Sequence, residues 1–427
     1  MRRKKMRSQP AGAAAVVIIG GGFGGLAALN ALAGTGISVT LVDRNVYSTF
    51  QPLLYQVATA GLTSSDVAYP LWAAARKAGA RFRKGELAGI DEAAASVLLA
   101  DGGKLRYDYL ILATGVAAAF FGVPGAAEHS MSLYTRKDAV RLRDRLMTEL
   151  EQRSTRQSGG DLAITVVGGG ATGVELAGTL AELRNIALPA SFPEVDPSAV
   201  HVRLIEQGDA LIAPFQPGLR EYARQQLIDR GVEVRLGAAI KEVSAGRVLL
   251  GDGTSLRSDV TVWAAGVTGP ADAGPALPRG RGGRYAVGQD LRVEGQDRIF
   301  AVGDVAVQGD DPVAQLAQPA IQEGRHAAGQ IRRLMAGQPT IPFRYHDKGT
   351  MATIGHRSAV VQLPRGIRLR GTLAWLVWLA LHLVTLLGNR NRLSALVNLS
   401  WRYLTWSRGG GLIIGDEESP PAQQPAR

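Results

Sequence analysis

Two stretches of this 427-residue chain have the residue types and spacing to hold phosphate. Gly20-Gly21-Gly22-Phe23-Gly24-Gly25 follows the apolar run 13–19, and Gly168-Gly169-Gly170-Ala171-Thr172-Gly173 follows the apolar run 162–167. Each reads as a buried strand, a tight turn and the start of a helix, the setting in which a G-x-G-x-x-G spacing binds a dinucleotide. The first glycine (Gly20, Gly168) permits the turn. The second (Gly22, Gly170) lets backbone approach a pyrophosphate, and the third (Gly25, Gly173) packs helix on strand. The phosphates then meet free N–H groups at the positive end of a helix. A lone loop of this kind also occurs as a plain strand–helix connection. A matched pair points to two dinucleotides, one donating electrons and one accepting them.

Acidic residues follow both loops. Leu41-Val42-Asp43 ends the next strand at the spacing of a ribose-binding carboxylate. Val202-Arg203-Leu204-Ile205-Glu206 takes the same part after the second loop, across a gap lengthened by an insertion-like stretch, 185–198, with three prolines. A carboxylate accepts hydrogen bonds from both ribose hydroxyls and repels a 2′-phosphate, so Glu206 favours NADH over NADPH. The chain has no cysteine, which excludes disulfide reductases, thiol peroxidases and sulfide:quinone oxidoreductases on chemistry. Its six histidines show no metal-ligand spacing, and no metal is expected.

The elements that must carry these groups are legible. Residues 13–43 form a first βαβ unit, and Asp108-Tyr109-Leu110-Ile111-Leu112-Ala113-Thr114-Gly115 is a buried strand closing in a small-residue turn. A charged helical segment over 130–153 and a polar linker, 154–161, lead to a second βαβ unit from Leu162. That unit closes with Val260-Thr261-Val262-Trp263-Ala264-Ala265-Gly266, so the chain looks internally duplicated. Ile299-Phe300-Ala301-Val302-Gly303-Asp304 is a third such strand.

A formal net charge of +11 favours an anionic partner. No basic element is interleaved with aromatics, so nucleic acid is not expected; charge gathered at the two ends suits a membrane surface. Met1-Arg2-Arg3-Lys4-Lys5-Met6-Arg7 before an apolar stretch looks like a secretory signal. That stretch feeds the Gly20 loop, however, and cleavage would destroy the site. Residues 1–12 are therefore read as a basic disordered tail of a cytoplasmic protein.

Residues 371–389 carry no formal charge when His382 is neutral, with Arg365, Arg368 and Arg370 before and Arg390 and Arg392 after. Their length borders on a membrane span. Trp375, Trp378, His382, Thr385 and Asn389 recur at three- and four-residue steps, giving one face an interfacial character. Over 393–406, Ser394, Asn398, Arg402 and Thr405 fall on one side and Leu393, Leu396, Val397, Trp401 and Leu404 on another. Two helices lying in a bilayer interface fit better than one span; a buried core or dimer helix stays open.

From about Val16 to Asp416 the chain resembles the type II (non-proton-pumping) NADH:quinone oxidoreductases, among the flavoprotein reductases with two dinucleotide domains. The resemblance is carried by the two loops, by Thr49-Phe50-Gln51-Pro52-Leu53-Leu54-Tyr55, by Gly173-Val174-Glu175-Leu176 and by Trp263-Ala264-Ala265-Gly266. More specific are Ala317-Gln318-Pro319-Ala320-Ile321-Gln322, Asp347-Lys348-Gly349-Thr350-Met351-Ala352-Thr353-Ile354-Gly355 and the C-terminal helix pair. It implies an α/β fold of two Rossmann-like dinucleotide-binding domains, arranged as in glutathione reductase, plus a C-terminal membrane-associated helical region. The expected bounds are 13–125 with 286–345 for FAD, 126–285 for NADH, and 346–427 for the C-terminal region, with its helices about 371–407.

By this resemblance FAD meets Gly20, Gly22, Phe23, Gly24, Gly25, Asp43 and Arg44. It also meets the closing turn at Thr114 and Gly115, the returning Gly303 and Asp304, and Ala317 with Gln318. NADH meets Gly168, Gly170, Gly173, Glu206 and Gly266, and passes a hydride to FAD. A membrane quinone then takes the electrons. Gln318 and Gln322 are assigned to the quinone, Glu175 to the nicotinamide–flavin interface and proton handling, and Lys348 to charge compensation or proton relay. The doubled Ala314-Gln315-Leu316-Ala317-Gln318 leaves Gln315 as an alternative to Gln318. Plainer readings stay open: Glu175 as a first-turn helix carboxylate, Gln318 and Gln322 as solvated residues, Lys348 as half of a surface ion pair. The family also implies a homodimer, peripheral on the cytoplasmic face of the cell membrane. A reductase with a soluble protein acceptor and an NADH-binding redox sensor are the rival functions.

Overall fold

The strands that feed both glycine loops are apolar except for Thr165 because both faces of their sheets are covered; Leu162–Val167 is buried at every residue. The computed structural model describes residues 14–155, 160–269, 277–309 and 313–405. The expected tail, 1–12, and the end of the resemblance at 406–416 lie outside the described residues.

The chain forms two compact units. In the first, a parallel sheet runs in the order Ile299–Ala301, Tyr109–Leu112, Ala15–Ile19, Ser38–Asp43, Arg81–Lys84. In the second, a parallel sheet runs Met131–Ser132, Val260–Trp263, Leu162–Val167, Val200–Ile205, Glu233–Arg235. Each copy then inserts three antiparallel strands between its outer and closing strands. These are Leu87–Asp91, Ser96–Leu99 and Lys104–Arg106 in one, and Ile240–Ser244, Arg247–Leu250 and Ser255–Arg257 in the other. The duplication seen in the loops thus extends strand for strand.

The units do not follow the expected domain bounds. The first gathers Met1–Thr49, Ala68–Ala119 and Val267–Lys348, and the second Phe50–Val67, Phe120–Gly266 and Gly349–Arg427. Residues 50–67 leave the first unit because their aromatics pack against the C-terminal region. Phe50 meets His382 edge-on at 6.2 Å and Tyr55 lies 6.3 Å from Trp378. The C-terminal region is no separate body either. Its strands Thr350–Gly355, Ser358–Gln362 and Arg368–Arg370 form an antiparallel sheet that lies on helix Ala171–Glu182. Gly178 makes that approach possible, since a Cβ there would overlap the Ile354 carbonyl.

Helices Gly371–Thr385 and Asn389–Thr405 follow. Among the described residues no helix is long and apolar enough to cross a membrane. The face expected to be interfacial turns inward: Trp375 and Trp378 are buried, and Trp378 stacks on His382 at 4.2 Å. A tryptophan stripe seeks any ring or apolar contact, and here Tyr55 meets Trp378 while His356 meets Trp375 edge-on at 5.0 Å. Leu373, Leu376, Leu381 and Val384 are left exposed instead.

Candidate functional site

The glycines of each loop separate into two kinds. Gly20 and Gly168 hold φ of +105° and +108°, and a Cβ on either would overlap the turn that closes its sheet, at Ala113 and Ala264. A Cβ on Gly25 or Gly173 would overlap the carbonyl oxygen of Gly20 or Gly168. Packing within the protein therefore accounts for these four. It does not account for Gly22 or Gly170, where a Cβ would meet no protein atom within 4 Å. The space above each helix start is left clear. Helices Phe23–Leu32 and Ala171–Glu182 begin there without a side-chain cap or an acidic residue in the first turn. Their leading N–H groups face that space, as an anion site requires.

The two carboxylates expected at the riboses are held alike. Asp43 accepts from the amides of Gly21 and Asn45, both at 2.7 Å, and Glu206 from those of Gly169 and Gly208, at 2.5 and 2.6 Å. Burial raises the Asp43 carboxyl above its ordinary range against the pull of its two amides. Arg44, beside it, is exposed and 3.7 Å from Glu86. In the closing turn the Thr114 hydroxyl is buried with no partner, an orphan that a cofactor's polar atoms would satisfy. The cleared Gly22 and this orphan fit FAD in the first unit.

The Gly303–Val305 turn also comes to the first loop: a Cβ on Gly24 would lie 3.8 Å from the Gly303 nitrogen. That nitrogen donates to Glu323 at 2.5 Å. Glu323 was not singled out in the sequence; burial first, then neighbouring Asp304, pushes its carboxyl up to about 7. Gln315 donates to the Asp304 carbonyl at 3.1 Å. Gln318, in the first turn of helix Ala317–Met335, is half-buried and its carboxamide has no partner among the described residues. Gln315 is thus engaged by the backbone of the Gly303–Val305 turn, while the Gln318 carboxamide is not so engaged.

Gln322 differs from expectation. Its carboxamide donates to the His346 carbonyl and accepts from the His346 amide, both at 3.0 Å. It anchors the strand-like segment that leads to Lys348. Lys348 itself is exposed, and among the described residues no carboxylate pairs with it.

In the second unit Glu175 lies beyond the first turn of its helix. Among the described residues its carboxyl accepts one hydrogen bond, a long one of 3.4 Å from the Thr353 amide, and desolvation raises it to about 8. A carboxylate serving a helix N-terminus would be shifted down instead. A carboxyl raised so far suits acid–base work near neutral pH. Gly266 carries the ring of Phe121, an exposed residue with φ +52°, close against it.

A model of the pyridine nucleotide-disulphide oxidoreductase family matches residues 14–324, and one of the NDH2 C-terminal domain matches 347–406. A type II NADH:quinone oxidoreductase of Mycobacterium tuberculosis is 35% identical over 434 residues, covering 96% of this chain and 92% of that protein. The chain belongs to the type II NADH:quinone oxidoreductases. A second such protein of that organism is 36% identical over 92% of this chain and 88% of its own length. The structure of NDH2 from Plasmodium falciparum in complex with NADH superposes with a TM-score of 0.84 at 18% identity, over 92% of this chain and 99% of that one, a likeness of fold. A sulfide:quinone oxidoreductase of Aquifex aeolicus shares the fold as well, with a TM-score of 0.74 at 21% identity over 92% and 95%. The absence of cysteine separates this chain from thiol chemistry. The enzyme uses FAD, oxidises NADH and reduces quinone without pumping protons.

Glu323 had a signal that local reading passes over. It falls in step with Ala320, Ala327 and Ile331 on the buried side of its helix. An acid within an apolar stripe marks a special environment.

Gly22→Ala should fold normally yet lose bound FAD, with affinity down about tenfold or more. Gly25→Ala should instead destabilise the apoprotein by about 3 kcal/mol of overpacking and so lower its thermal midpoint. Flavin absorbance per protein and calorimetry of both variants check this; equal behaviour contradicts it. A second expectation concerns Glu175. The folded carboxyl keeps its proton to about pH 8, while the unfolded one loses it near 4.5. The folded state binds more protons between those values, so stability falls as pH rises through the window. Relative to wild type, Glu175→Gln should gain thermal midpoint progressively across it; a pH-independent difference refutes the assignment.

Proposed function

We propose that the enzyme works at a bilayer surface on the cytoplasmic side, with NADH on the Gly168 loop, FAD on the Gly20 loop and quinone near Gln318. Cleared space over two uncapped helix starts, with protein packing explaining every loop glycine except Gly22 and Gly170, carries the nucleotide assignments. Bound FAD supplies two-electron acceptance from NADH and delivery to a quinone. The residues do the rest. Glu206 holds the adenine ribose, and the Gly170–Ala171 helix start binds the pyrophosphate. Glu175, largely protonated at neutral pH, exchanges a proton as charge moves. Gln318 offers a free carboxamide to a quinone oxygen. Gln322 serves by holding His346, so that Lys348 keeps an exposed ammonium for the charge of the reduced site. A homodimer rests on the family resemblance alone.

The bilayer reading rests on the C-terminal surface. Ile367, Leu373, Leu376, Leu381, Val384, Leu393, Leu396, Val397 and Trp401 are all exposed, a larger apolar display than a water-facing surface carries. Arg365, Arg368, Arg370, Arg390 and Arg392 border it and are exposed too. Each basic group adds about 1 kcal/mol at an anionic bilayer.

Gln318→Ala should slow reoxidation of the reduced flavin by a short-chain quinone about tenfold, the loss of one hydrogen bond. Flavin reduction by NADH should be spared; equal slowing of both half-reactions removes Gln318 from the quinone site. Glu206→Arg should shift the kcat/KM ratio of NADPH to NADH upward about tenfold. The ratio is the readout because Glu206 also holds the Gly169 and Gly208 amides. An unchanged ratio refutes the ribose assignment.

A further inference from the structure

Helix Asn389–Thr405 docks by its polar side. Ser394 Oγ donates to Asp66 Oδ1 at 2.6 Å and Asn398 Nδ2 to Asp66 Oδ2 at 2.8 Å. The Thr63 amide adds a third donor, at 2.9 Å. Asp66 is only 3% exposed, and among the described residues no basic side chain pairs with it. Ala395 and Leu399 are buried on the same side of the helix, whereas Leu393, Leu396, Val397 and Trp401 are 63, 46, 55 and 61% exposed on the other. A helix folded onto a globular protein ordinarily turns its apolar side inward. Here the arrangement is reversed around a buried carboxylate.

Burying an unpaired carboxylate is costly unless hydrogen bonds compensate it, so its placement calls for a return. Ser394 and Asn398 stand one turn apart, and two grips on one carboxylate fix the roll of the helix about its axis. The other end of the grip is rigid. Arg136, from helix Arg136–Thr155, donates to the Ser64 carbonyl at 3.0 Å and to the Ser64 hydroxyl at 2.9 Å, tying down the turn that carries Asp66.

We propose that Asp66 is a polar latch that sets the roll of helix Asn389–Thr405 and so presents Leu393, Leu396, Val397 and Trp401 as a preformed lipid-binding face. The latch rests on the bilayer reading above. Preorganisation of this kind lowers the ordering cost that a free amphipathic helix meets on reaching the membrane.

Flotation of the full-length holoenzyme with vesicles of mixed phosphatidylcholine and phosphatidylglycerol tests it. Asp66→Ala leaves Ser394, Asn398 and the Thr63 amide without their acceptor and should weaken vesicle binding about tenfold. Asp66→Asn keeps an oxygen for Asn398 and Thr63 and lets the Ser394 hydroxyl accept instead of donate, so it should bind as wild type does. Turnover of NADH with ferricyanide reports that each variant is folded and loaded. Wild-type binding by Asp66→Ala, or an Asp66→Asn variant as weak as Asp66→Ala, overturns the latch. Leu393→Asp with Trp401→Asp separates the two levels of argument. Loss of binding there upholds the lipid face whatever Asp66 does, and undiminished binding overturns the face and the latch with it.

Discussion

Everything in the nucleotide sites depends on two backbone contacts that only a hydrogen side chain permits. Gly25 rides on the carbonyl of Gly20, and Gly173 on that of Gly168. Each contact draws a helix start onto the end of a buried parallel strand, which aims the open N–H groups along the sheet's carboxyl edge. The remaining parts then follow at fixed places: an acid at the end of the neighbouring strand, a small-residue turn at the end of the closing one. Asp43 and Glu206 even share their partners, each accepting the amide after the first loop glycine and another two residues beyond itself.

The two copies differ behind their loops. Glu175, two residues beyond Gly173, has Ala27 as its counterpart two residues beyond Gly25. One copy therefore carries a desolvated acid where the other carries a buried methyl. In the second copy Gly178 admits strand Thr350–Gly355, whose Thr353 amide is, among the described residues, the donor to the Glu175 carboxyl. In the first copy the close approach is spent otherwise: a Cβ on Gly324 would overlap the Gly24 carbonyl, so two helices cross there at backbone distance. The same crossing brings the Gly303 turn, with Glu323 beneath it, to the cofactor loop.

Loops, strands and duplication were legible in the sequence because they are local: glycine spacing and unbroken apolar runs leave few alternatives. The doubled Ala-Gln was legible too, and the structure distinguishes its members: Gln315 donates to the Asp304 carbonyl, while Gln318 stands in the first turn of its helix. What could not be read is what distant contacts decide. A tryptophan stripe at helical spacing suits an interface or a core equally. Trp378 went inward to meet Tyr55, and Trp375 to meet His356. Gln322 stands on the expected helix, yet its partner is backbone 24 residues away. Asp66 shows no local sign at all, since its partners lie 328 and 332 residues further along.

The account stands on two nucleotide sites working in sequence, with NADH delivering and quinone collecting through one bound flavin. Anaerobic double-mixing stopped-flow of the purified enzyme, first with NADH and then with a short-chain quinone, follows the flavin absorbance through both steps. Rapid bleaching by NADH and rapid recovery with quinone is the predicted result. Bleaching without recovery, or NADH oxidation with no change at the flavin, would contradict it.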